Sequence, residues 1–451
     1  MNKPETMPLT DRYINLYDTH AKLIDEQSSP LLISHRGGAR EHLLRHALPK
    51  YGDEDYKRFD IDGVLSQTYQ FNFERKSFGV DPFCEYPCSL TTPRSACHFV
   101  LEDRVYSGEY VKTLDSVFLG SIHDFERKYP KVASQYYHTA PSLSRDTLAQ
   151  LNTLLVQDAF VIYVPAGVQV PDPIQIINLS GIGEDLFSSP RILLIAEEGS
   201  RVTVLVCDHQ ANAHRSLSNG VVEIHAGKGS HIEYYEVEET GAETTRINCI
   251  HVQQEAESAV LLDVFAVENG TTRTNFYADL KGEGASFDLD GMCILDGDQI
   301  ADYYSYINHA VGHCHSDQLI KYVVNDRALG SFAGRIYVAQ DAQKTLAYQT
   351  NRNLLLSDTA RMYSKPFLEI YADDVKCSHG MTTGQLDDDA LFYLRQRGIP
   401  YAEARLMQTI AFMSDVLDTI RLPELRERLS NVVDRRFRGL PSGCRHGFPL
   451  L

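Results

Sequence analysis

A cysteine and a histidine stand two residues apart, Cys377 and His379, in the stretch LEIYADDVKCSHGMTTG from Leu368 to Gly384. If that stretch is extended, both side chains leave the same face of a strand. A soft thiolate beside an imidazole suits iron or zinc better than magnesium or calcium. The pair is too small to hold an iron–sulfur cluster alone, because such a cluster takes about four protein ligands. Metal chemistry here must borrow ligands, with another chain as the expected source.

Other chemistry-bearing residues make weaker sites. His309, His313, Cys314 and His315, in INHAVGHCHSDQ, resemble a metal site by composition, with His313 and His315 expected on one strand face and Cys314 opposite. No carboxylate stands at a ligand spacing from them, so the expected role is structural. Cys84, Cys88 and Cys97, with His98, match no common structural zinc spacing. Ser34 to Arg40, SHRGGAR, lacks the phosphate-loop pattern and is read as a loop with basic side chains. No Walker, nucleophile-elbow, zincin or dinucleotide motif occurs, so the chain is not expected to be an enzyme or to bind ATP itself; no flavin motif is visible, and a flavin role stays open.

The elements that must position Cys377 and His379 read as strands. From about Leu151 to Gly384, short β-branched and aromatic runs such as RILLIAEEGSRVTVLV and AVLLDVFAV alternate with Gly, Asp, Asn and Ser clusters. Ser200, Ser230, Ser258 and Ser286 recur at spacings of 30, 28 and 28, each before an alternating hydrophobic run; Thr345 and Thr359 give a shorter echo. Repetition on this scale predicts a solenoid whose coils bury their strands against their neighbours, a β-helix over 151–384. Residues 1–150 read as a helical or mixed α/β domain. Residues 385–451 form a helical domain: Asp387 caps a helix ending near Gly398, and Ala402, Leu406, Ile410, Met413, Leu417 and Ile420 make an amphipathic stripe.

Composition narrows the function. The net charge of −18 over 451 residues argues against nucleic acid or an anionic membrane as partner. No apolar run approaches the roughly 18 residues of a membrane span, and MNKPETMPLTDRYINLYDTH lacks the apolar core of a secretory signal. Nine scattered cysteines fit free thiols better than a disulfide framework. A cytoplasmic protein is expected.

Two further stretches, GSFAGRIYVAQDAQKTLAYQTNRNLLLSDTA and KPFLEIYADDVKCSHGMTTGQLDDDALFYLRQRGI, resemble the SufB/SufD family of iron–sulfur cluster assembly proteins, in its SufD branch. The resemblance implies a right-handed parallel β-helix between an N-terminal mixed domain and a C-terminal helical domain. It also implies a scaffold that pairs with a SufB-like chain and docks a SufC-like ABC ATPase. Cys377 and His379 would then face the partner and share a transient cluster or iron with it. The segment FYLRQRG, with Phe392, Tyr393, Arg395, Arg397 and Gly398, would offer aromatic and Arg side chains to the ATPase. Two other readings stay open. One is a β-helix enzyme on polysaccharide, with Asp296, Asp298 and Asp302 as its carboxylates. The other is a homodimer with a binding role and no metal, which is also the expected state of the isolated chain.

Overall fold

Strands of nine to eleven residues follow one another from Arg201 to Gly384, and each pairs in parallel with the strand two places along the chain. Alternate strands therefore sort into two facing sheets, a β-solenoid of about eight turns. A computed structural model describes residues 7–76, 96–106, 114, 116–180, 185–211 and 214–440. Every second side chain points between the sheets, where Ile232, Val260, Phe287, Leu289, Phe332 and Ile336 belong to one continuous core. The solenoid also takes in residues from nearer the N-terminus: Ala96–Leu101 pairs with Ile174–Ser180, and Phe118–Ser121 with Phe160–Val164.

The serine spacing has a physical origin. Ser200, Ser230 and Ser258 occupy the same corner of successive coils, fully buried, their N–H groups donating to the carbonyls of Glu197, Gly227 and Glu255. The hydroxyls of Ser200 and Ser258 donate to those of Glu197 and Glu255 at 2.7 Å, turns in which a Ser side chain satisfies local backbone. The stack runs on through Ala285, Cys314 and Thr345, each carbonyl accepting from the first N–H of a strand one coil later. Ser286 lies one residue beyond the corner, which Ala285 fills, and Thr359 sits elsewhere, its hydroxyl donating to the Asp326 carbonyl. Only a small side chain fits, which accounts for Cys314 as a compact apolar filler.

Gly282 packs directly on the backbone of the preceding coil. A Cβ there would fall within the backbone of Glu255 and Ala256. Gly282→Ala is expected to cost about 3 kcal/mol or more, at the upper end for overpacking, because backbone rather than a side chain must move. A urea midpoint equal to wild type would show the corner to be more pliable than its packing indicates.

Helices cover the outer faces of both sheets. The N-terminal helices, chiefly Thr147–Leu155, lay Leu148, Leu151 and Leu154 near Leu217, Val221 and Ile247. Within that seam Arg191 and Glu223, both fully buried, pair at 2.6 Å. On the opposite face, helices Tyr401–Leu417 and Pro423–Phe437 press Met413, Val416, Leu425 and Leu429 toward Val237, Phe265 and Met292. The buried Lys321 fastens this module by donating to the Phe412 carbonyl and Asp415 Oδ2, each at 2.6 Å.

Three sequence expectations are corrected. Ser34–Arg40 is not a loop: it lies inside the helix Pro30–His46, which Ser29 caps and Pro30 begins, and Arg36 is buried against Asp25 and the Val156 carbonyl. His313 and His315 do not share a strand face, because the strand starts only at His315 and His313 precedes it at φ 59°. The C-terminal stripe is rotated: Ala402 is exposed, whereas Ala404, Thr409 and Val416 join Leu406, Met413 and Leu417 inside.

Candidate functional site at the open end of the solenoid

Arg361–Ile370 and Lys376–Gly384 are the last strands of their sheets, and no further strand pairs beyond either among the described residues. Their backbone edges face outward, a template for another chain. The apolar side chains of Phe367, Ile370, Tyr371 and Met381 are exposed around this end.

Cys377 and His379 lie on the last strand, in register with Ala347 and Gln349 of the coil beneath. Ala347 points into the core, so Cys377 and His379 continue its inward face, as their spacing predicted. With no coil above them they look out of the lumen. Cys377 is half-buried against the solenoid core, and His379 is exposed. Burial pushes the Cys377 thiol up, partly offset by a hydrogen bond with the Ala347 backbone, so the unligated side chain is a thiol at neutral pH. Among the described residues no group of three or more His, Cys, Asp or Glu side chains is placed to hold a metal ion. One soft and one borderline donor at an open rim suit iron completed by ligands from elsewhere.

Sequence reasoning missed Gln349, buried directly beneath His379 with neither amide atom hydrogen-bonded among the described residues. Only coil register reveals it, since the two lie 30 residues apart.

The remaining candidates disperse. His309 points into the lumen and shares a hydrogen bond with Ser316 Oγ at 2.8 Å; Cys314 fills a corner; His315 faces outward beside Tyr348. Asp302 is buried and paired with Arg273, Asp298 pairs with Arg327 at 2.6 Å, and Asp296 lies 3.3 Å from Arg436. Each is bound to a different cation, not one of a facing pair in a groove. Cys97 lies on the strand Ala96–Leu101, while Cys84 and Cys88 fall outside the described residues. Cys249, Cys293, Cys314 and Cys377 carry free thiols. Further along, Asp387 caps the helix Asp388–Gln396 through the N–H groups of Asp389 and Ala390. Phe392 and Tyr393 are 63% and 55% exposed on that helix; the Arg397 guanidinium lies 4.8 Å from the Tyr393 ring, and Gly398 ends the turn at φ 86°.

Fold and site together define a β-solenoid with helical modules on both faces and a thiol–imidazole pair at its uncovered end. The family model "SUF system FeS cluster assembly, SufBD core domain" matches residues 179–412, and "SufBD protein N-terminal region" matches 7–176. The chain belongs to the SufB/SufD family of iron–sulfur cluster assembly proteins, in its SufD branch. It is 26% identical over 408 residues to the iron–sulfur cluster assembly protein SufD of Escherichia coli, covering 90% of this chain and 92% of that protein. It is 25% identical to SufD of Bacillus subtilis, over 69% of this chain and 72% of that one. An iron–sulfur cluster assembly SufBD family protein of Synechocystis is 32% identical over 302 residues, 64% of this chain and 66% of its own length. No helix among the described residues is long and apolar enough to cross a membrane.

Proposed function

We propose that this chain is a non-enzymatic, cytoplasmic scaffold subunit in iron–sulfur cluster assembly that pairs with a SufB-like paralogue through the open end of its solenoid. The observation that carries the reading is the placement of Cys377 and His379 on the inward face of the last strand, whose outer edge pairs with no further strand among the described residues. Two ligands at a rim are half a site, and a partner strand laid on that edge brings the other half. The cluster is cargo, held at the subunit boundary while it forms.

The C-terminal helical module docks a SufC-like ABC ATPase in the same reading. Phe392 and Tyr393 stand out of the helix beside Arg395 and Arg397, the residue types that dominate interface energies. Phe392→Ala is expected to weaken ATPase binding by about 2 kcal/mol or more, roughly thirtyfold, in calorimetric titration with the purified ATPase. Unchanged affinity in both Phe392→Ala and Tyr393→Ala would move the docking surface elsewhere. ATP-driven displacement of the module then passes through the Lys321 fastening to the solenoid and reaches the rim as a rigid-body shift.

The decisive experiment is anaerobic co-expression with SufB-like and SufC-like partners, followed by iron and sulfide analysis of the purified complex. Cluster retained by wild type and lost from intact complexes of the His379 and Cys377 variants supports the reading. Equal content in all three leaves this chain outside the assembly site.

A further inference from the structure

The outer face of the sheet that ends in Lys376–Gly384, the face covered by the C-terminal helices, carries carboxylates where apolar packing would be expected. Asp263 is 0% exposed, and neither of its oxygens has a hydrogen-bond partner among the described residues. It stands in register with Asp290 on the adjoining strand, which places the two side chains next to each other on one face. Around them lie Leu261, Phe265 and Met292 of the sheet and Val416, Leu417 and Ile420 of the C-terminal module. Two ionised carboxylates cannot share so dry a place, whereas one or both in the neutral form can.

The charged groups facing the pair give little relief. Glu233 and Asp288 add negative charge from the same sheet, and Asp317 adds more on the next strand, in register with Asp288. His315 draws on Asp288 and Asp317, the outer members of this group. From the covering turn Thr419 hydrogen-bonds Asp290, and the Tyr235 hydroxyl accepts from the Arg421 N–H at 3.1 Å. The Arg421 guanidinium is drawn to Glu233 and Asp288 at 3.9 and 3.6 Å and is largely exposed. Among the described residues no buried cation sits on Asp263.

We infer that Asp263 and Asp290 form a proton-sharing carboxyl pair that latches the C-terminal helical module to the solenoid, and that losing the proton loosens the turn from Asp418 to Leu422. Closure of the module over the pair holds a proton that an opened module would release. Burial and the neighbouring carboxylates push Asp290 up to about 7, and Asp263 is raised in the same direction by burial and by Asp290. Because the closed state has the raised value, its stability is greatest at low pH and falls as pH rises toward that value. The latch lies on the module that the proposed function assigns to the ATPase. It is nevertheless a property of the chain alone and stands or falls separately.

The test is hydrogen exchange on the purified full-length chain, corrected for intrinsic exchange rates, reading amides 418–433. With Asp290 at about 7 and an opened carboxyl near 4, opening is expected to increase about tenfold between pH 6 and pH 8. Asp263→Asn/Asp290→Asn, which fixes both groups neutral in the same shape, is expected to exchange equally at both values, while either single variant, whose remaining carboxyl stays buried, keeps part of the response. Identical wild-type protection at pH 6 and pH 8 overturns the latch, as does a rise that survives undiminished in the double variant. If the double variant fails to fold, a rise undiminished in both single variants overturns it instead. Loss of the pH response with cluster content unchanged would sustain the latch and leave the scaffold reading to its own experiment.

Discussion

His379→Ala is expected to reduce the iron and sulfide retained by an anaerobically purified complex by about tenfold or more, since even loss of a residue that merely supports a metal ligand costs 10–100-fold in affinity. The substitution is clean because His379 is exposed and its side chain makes no hydrogen bond among the described residues, so subunit folding should not change. Cys377→Ala tests the same site with a small cost of its own, since the thiol packs partly against the core. Cys377→Ser, which keeps the size and loses the soft donor, separates the two effects. The expected order is wild type far above Cys377→Ser, with His379→Ala as low as or lower than the serine variant. Full iron content in an intact His379→Ala complex would falsify the assignment and reduce KCSHG to the last rung of a scaffold.

How much of this the residues announce depends on whether the signal is local. The corner serines were legible because each repeats one local turn, and the helix after Asp387 was legible because a cap is a local hydrogen bond. Their limits are instructive. Ser286 copies the pattern one residue late because Ala285 satisfies the only requirement of the corner, small size. The His309–His315 cluster misleads by composition, since a lumen position, a left-handed turn, a corner and an outward strand position fall within seven residues. Short strands such as Ala96–Leu101 have no periodic signature, and only pairing with Ile174–Ser180, far along the chain, makes them part of a sheet. Gln349 beneath His379 and Asp263 beside Asp290 are likewise invisible until coil register is known. This solenoid places residues 27 and 30 apart side by side, so its sites are written in register rather than in motifs.

Arg191→Met is expected to be the most damaging single substitution in the seam between the N-terminal helices and the solenoid, costing about 3–5 kcal/mol at pH 8. Arg191 donates through Nε and Nη2 to Glu223 Oε1 at 3.1 and 2.6 Å, and through Nη1 to Asn152 Oδ1 and Thr153 Oγ1 at 3.1 and 2.9 Å. Its guanidinium also lies 4.6 Å from the Tyr137 ring centre. One side chain therefore joins strand, helix and aromatic cover, and its removal strands a carboxylate at zero exposure. Burial already pushes Glu223 above the usual carboxylate range, against the pull of Arg191, so without the cation it takes a proton more readily still. The sign follows: a group raised in the folded state holds its proton where the unfolded chain has lost it, so stability declines with rising pH. The variant should unfold at much lower urea at pH 8 and recover part of the deficit at pH 5. Adding Glu223→Leu should restore most of it at both, because a buried pair replaced by apolar groups of similar size is often neutral in stability. A single-variant cost below about 1 kcal/mol that does not change with pH would mean that water reaches Glu223, and that this seam is held by its leucines rather than by its ion pair.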